Sequence, residues 1–146
     1  MYENLAIVLV DDDHANQKTM SKILEDLFPK CQIKILGTGE EARDYLLSPS
    51  NNYDLVILDG NLKSSPAFST PMHGPDVANA MKNKGIKVPV VLWTNDPYML
   101  ARFDEVYGKR IAEIEKPCRA YNVEVILKPI VKSIMTHPKS AEQDNP

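Results

Sequence analysis

Apolar positions along the chain follow two rhythms. Five short runs, Leu5 to Val10, Ile33 to Leu36, Leu55 to Leu58, Val88 to Trp93 and Val123 to Leu127, have strand length and are apolar along most of it. Strands of that kind are buried on both faces, which points to a parallel sheet covered by helices. Between them the spacing changes to that of a helix. Met20, Ile23, Leu24, Leu27 and Phe28 recur at i, i+3, i+4, i+7 and i+8, and Pro29 ends the pattern. A second helix is predicted from near Gly39 through Ala42, Tyr45 and Leu46, and a third carries Val77, Ala78, Ala80 and Met81. A fourth opens at Asn95, Asp96 and Pro97, where Asp96 suits the cap and Pro97 the first helical position. The segment "GKRIAEIEKPCRAYN", residues 108–122, reads as an inserted turn or short helix before the last strand, and Ile130 to Met135 as a short final helix. Residues 136–146 read as a flexible tail or linker after a single domain over 1–135. The alternation predicts an α/β fold of the (βα)5 type, a doubly wound five-stranded parallel sheet.

In such sheets the reactive crevice lies at the carboxyl ends of the strands. The residues there are Asp11, Asp12 and Asp13 after the first strand, Asp59 after the third, Thr94 after the fourth and Lys128 after the fifth. Each has a bland reading taken singly: a helix cap, a turn beside Gly60, a strand end, a solvated lysine before Pro129. Taken together, four of five strands deliver acids, a hydroxyl and an ammonium to one edge. Carboxylates without His or Cys select a hard cation, and Mg²⁺ is usually held by one or two carboxylates, waters and a phosphate oxygen. With the cation in place one carboxylate is free to attack phosphorus, while the lysine and the hydroxyl bind phosphoryl oxygens.

The motifs "IVLVDDD", "DLVILDGN", "VVLWTND" and "VILKP", in this order and each ending a strand, resemble the receiver domains of two-component response regulators over about Leu5 to Met135. The resemblance implies a flavodoxin-like sheet of strand order 2-1-3-4-5 and Asp59 as phosphoacceptor. It also implies Asp11 and Asp12 as the acid pair, with Asp12 the more direct Mg²⁺ ligand, and Asn61 lending its carbonyl to the metal. Thr94 becomes the switch hydroxyl and Lys128 the phosphate-binding lysine, with a cis peptide before Pro129. The implied partners are a sensor histidine kinase or histidine phosphotransfer protein and a downstream protein target. The implied role is that of a signalling phosphoacceptor rather than an enzyme.

Four departures from the family pattern stand out. The segment from Asp59 to Gly74 is about seven residues longer than usual, with Lys63 where a proline commonly stands; it reads either as an inert surface insertion or as a loop that gates Asp59 or touches the kinase. Val125 occupies the switch-aromatic position three residues before Lys128. Asn95 follows Thr94 where small residues are common. The 108–122 segment reshapes the face on which many members dock. The polar pair Asn61 and Asp96 resembles that of members whose phosphoryl group is short-lived.

Composition narrows the partners. A net charge of -3 without a Lys/Arg run argues against nucleic acid or an anionic membrane. The N-terminal residues, with Glu3 ahead of a short apolar stretch, do not read as a signal peptide. Cys31 and Cys118 lack metal or redox spacing and suit reduced packing thiols, so a cytoplasmic setting is expected. Trp93 reads as core, His14 as an exposed first-turn residue, and His73 and His137 have no ligand spacing. Two other readings compete. "VLVDDDHA", with Thr94 and Lys128 following, also fits the haloacid dehalogenase order, but leaves Asp59 without a role. A degenerate receiver would serve as a constitutive binding module, since a fold does not guarantee activity.

Overall fold

The computed structural model describes residues 1–63, 71–108 and 112–136. Its strands are β1 (Ala6–Val10), β2 (Gln32–Leu36), β3 (Leu55–Asp59), β4 (Val90–Trp93) and β5 (Glu113–Ile114). The helices are α1 (His14–Leu27), α2 (Gly39–Leu47), α3 (Gly74–Asn83), α4 (Pro97–Tyr107) and α5 (Ala120–Thr136). All strand pairs are parallel and the sheet order is β2-β1-β3-β4-β5. The predicted doubly wound fold and its strand order are therefore observed.

Side chains on successive residues of a strand point to opposite faces, and this divides the core in two. On one face Val8 and Val10 of β1, Val56 and Leu58 of β3 and Leu92 of β4 pack with Ala42 and Leu46 of α2, Val77 and Met81 of α3 and Phe103 of α4. On the other, Ile7, Leu9, Leu55, Ile57 and Trp93 pack with Met20 and Leu24 of α1 and with Val123, Leu127 and Val131 of α5. Local sequence starts the helices as the pattern predicts: Asp13 caps α1 through the Asn16 N–H, and Asp96 caps α4 ahead of Pro97.

The C-terminal quarter corrects the expectation. Val123 to Leu127 is not the fifth strand but the second turn onward of α5, which also absorbs the short helix expected over 130–135. The fifth strand lies inside the segment read as an insertion: Glu113 and Ile114 pair with Leu92 and Trp93, and the Leu92 N–H donates to the Ala112 carbonyl at 3.0 Å. The reason is packing. Val123, Leu127 and Val131 are buried at i, i+4 and i+8, with Ile126, Ile130 and Ile134 beside them. Each buried aliphatic side chain contributes roughly 1.5–3 kcal/mol, and the three together outweigh the cost of an internal proline, about 3 kcal/mol. Pro129 lies on the exposed side of the helix. There, water can solvate the carbonyl that loses its helical partner.

Candidate functional site

The carboxyl ends of β1 and β3 bring three acids together. One oxygen from each of Asp11, Asp12 and Asp59 lies within 4.8 Å of the others, Asp11 and Asp59 buried and Asp12 half-buried. Asp13 is excluded: its carboxylate turns back to cap α1, and the Asn16 N–H holds it below the usual carboxylate range. Backbone donors orient the rest. The Asp13 N–H donates to Asp11 Oδ1 at 2.8 Å, the Lys63 N–H to Asp12 Oδ2 at 3.0 Å, and the Asn61 N–H to Asp59 Oδ1 at 3.3 Å. A proline at position 63 would have no N–H to give Asp12.

The cation of the site is Lys116, which the sequence reading overlooked. Its Nζ sits 2.7 Å from Asp11 Oδ2 and 3.1 Å from Asp59 Oδ1, with the side chain 17% exposed. Lys128, expected there, lies on α5 with its side chain 57% exposed, paired with Glu124 one turn away. The cis peptide expected before Pro129 is found at Lys116–Pro117. "EIEKP" offers the same Lys-Pro signal as "VILKP", but its preceding apolar run is interrupted by acids, so periodicity favoured the wrong copy.

Thr94 is buried just past β4, where its Oγ1 accepts from the Asp96 N–H at 3.2 Å. Asn61 Nδ2 donates to Asp96 Oδ2 at 3.0 Å, so the predicted polar pair is joined directly. Asn95 bonds the Lys116 carbonyl through its side-chain amide at 3.1 Å, tying the ends of β4 and β5. Two glycines allow the close approach. A Cβ on Gly60 would lie 2.8 Å from Met99 Cβ and 3.1 Å from Thr94 Oγ1, and one on Gly74 would collide with the Asp59 carbonyl oxygen.

Electrostatics follow from this crowding. Burial is the largest influence on the Asp59 carboxyl and Asp11 adds to it; against them Lys116 and the Asn61 N–H pull down, and the balance lies at about 6. Three carboxylates against one ammonium leave an excess of two negative charges when all are ionised. Like charges about 4 Å apart repel by roughly 4 kcal/mol at an effective dielectric near 20. An all-oxygen pocket with that excess fits a hard divalent cation.

Residues 7–129 match the family model described as response regulator receiver domain. The chain belongs to this family. No curated protein matches it in sequence. Among solved structures it is similar to the signal receiver domain of an HD domain-containing protein from Pseudomonas fluorescens Pf-5. That likeness has a TM-score of 0.73 at 19% identity, covering 91% of this chain and 98% of that one. A two-component response regulator from Clostridium difficile gives a TM-score of 0.69 at 20% identity over 89% of this chain and 98% of that one. The receiver domain of sensor histidine kinase PA1611 from Pseudomonas aeruginosa PAO1, described with a magnesium ion coordinated in its active site cleft, gives 0.68 at 19% identity, covering 88% and 98%.

The remaining expectations shift with Lys116. In this receiver the residue three before the site lysine is Glu113 on β5, not Val125, which lies half-exposed on α5. No aromatic stands at the switch position under either numbering. The long segment after Asp59 is pinned where it is described: the Gly74 N–H donates to the Gly60 carbonyl at 2.9 Å and the Leu62 N–H to His73 Nδ1 at 3.1 Å. Its residues 64–70 fall outside the described residues, as do 109–111 and residues 137–146 of the expected 136–146 tail with His137, whereas Thr136 is the last residue of α5. No described helix is long and apolar enough to cross a membrane.

Proposed function

We propose that this receiver domain accepts a phosphoryl group on Asp59 from a sensor histidine kinase or histidine phosphotransfer protein, with Mg²⁺, and signals by binding a downstream protein target. The observation that carries the reading is the buried Asp59 carboxylate held beside Asp11 and Asp12 with Lys116 bridging Asp11 and Asp59. An Asp59 oxygen forms the new P–O bond while the donor's P–N bond breaks, its electron pair going to the donor imidazole. With its pKa at about 6, Asp59 is ionised and nucleophilic at neutral pH. Asp11, Asp12 and Asp59, with the Asn61 carbonyl, would hold Mg²⁺, which when bound supplies charge neutralisation for the phosphoryl oxygens. Lys116 then turns one N–H toward those oxygens, and the Thr94 hydroxyl donates to another. The Asn61–Asp96 pair flanks the site and supports a short-lived phosphoryl group.

Labelling by acetyl phosphate tests this reading. Mg²⁺-dependent incorporation lost in Asp59→Asn is expected; an inert wild-type chain would instead make it a constitutive binding module.

A further inference from the structure

Trp93, the chain's single tryptophan, ends β4 and is only 2% exposed. In the sheet register it stands beside Asp59 of β3 on one side and Ile114 of β5 on the other. Its ring does more than fill the core, because the Lys116 ammonium lies 4.5 Å from the ring centroid. Among the described residues that ammonium thus meets Asp11, Asp59 and the face of the indole.

We propose that Trp93 is a positioning residue for Lys116, its indole face holding the ammonium where it reaches both buried carboxylates. The physical case rests on what each contact does. A lysine side chain is long and flexible, and two carboxylates alone leave its stem free to swing. The electron-rich face of an indole attracts a cation strongly when both are shielded from water, and Trp is the best aromatic for it. Unlike a carboxylate, the ring carries no charge that competes for a metal or repels an incoming phosphoryl group. It can therefore stay in contact while Lys116 exchanges a carboxylate oxygen for a phosphoryl oxygen, acting as the fixed point about which the ammonium turns. The inference rests on the phosphoacceptor reading for its consequence, although the Trp93–Lys116 contact can be measured without it.

The test uses the full chain and acetyl phosphate with Mg²⁺. Trp93→Leu is expected to lower the initial labelling rate about 10-fold, whereas Trp93→Phe, which keeps an aromatic face, retains most of it. Trp93 emission, recorded without phosphodonor, is expected to change in Lys116→Met. It should respond to Mg²⁺ with beryllofluoride in the wild type and lose that response in Lys116→Met. Equal loss of rate in the Phe and Leu variants, both showing cooperative unfolding, overturns the proposal, as does emission indifferent to Lys116→Met. If Trp93→Leu does not fold, the emission comparison, made on the native tryptophan, decides. A wild-type chain that is never labelled defeats the phosphoacceptor reading alone, since the emission arm still reports the contact.

Discussion

Lys116 and Lys128 stand twelve residues apart and each precedes a proline, yet the fold uses them in opposite ways. Lys116 follows a two-residue strand and has its ammonium enclosed by Asp11, Asp59 and Trp93. Lys128 follows a longer and more apolar run and reaches solvent beside Glu124. The difference lies in what each run packs against. Val123 and Leu127 bury a helical stripe, while Ile114 reaches the same core from a strand that pairs with the edge of β4. Local hydrophobicity is thus a poor guide to which lysine enters the site. Completing an existing sheet edge decides it.

The largest effects should separate the two lysines. Lys116→Met removes the hydrogen bond to Asp11 and the ion pair with Asp59, both buried carboxylates, and is expected to lower labelling from acetyl phosphate by roughly 10- to 100-fold. Lys128→Met removes an exposed i,i+4 pair, whose contribution is typically about 0.3–0.5 kcal/mol, and should leave the labelling rate unchanged. Equal effects would break the comparison. Stability sharpens it on the other segment. Leu127→Ala should cost about 2–5 kcal/mol in denaturant unfolding, and Val125→Ala less than about 0.5. A strand there would have placed both side chains on one face and made the two costs alike.

A pH series tests what the enclosed lysine does to Asp59. Its carboxyl lies at about 6 in the folded chain against an ordinary 3.8, chiefly through burial. Between those values the folded chain holds a proton that the unfolded chain has released. This group therefore favours folding at low pH, and its contribution is lost as pH rises through about 6. Asp59→Asn should accordingly raise stability at pH 7.5, by at most roughly 3 kcal/mol, with the gain vanishing toward pH 4. In Lys116→Met the Asp59 titration should move higher still, and in Lys128→Met it should not move.

The smallest expected effect concerns lifetime. Phosphorylated wild-type chain should lose its label well within hours at neutral pH, and Asp96→Ala, which breaks the bond to Asn61, should slow that loss severalfold. Label that persists for many hours in the wild type would show that the Asn61–Asp96 pair does not promote hydrolysis.

Much of the site was legible because its acids follow strands that announce themselves. Asp11, Asp12 and Asp59 end runs that are almost wholly buried, and Thr94 ends another, so the edge they share follows once the sheet is parallel. Trp93 was legible as core but not as the platform under Lys116, since no spacing rule places a β4 residue beneath a side chain twenty-three positions later. Lys63 was noticed only as a missing proline, whereas its use is the N–H it offers Asp12.

By itself, then, the sequence determined the four long strands, the four helices between and after them, and the acids at their ends, because burial period and capping chemistry act over a few residues. The tertiary structure alone decided where β5 lies, which lysine meets Asp11 and Asp59, and what lies beneath it. A two-residue edge strand has no period of its own, and its place depends on hydrogen bonds that only the neighbouring strand can offer.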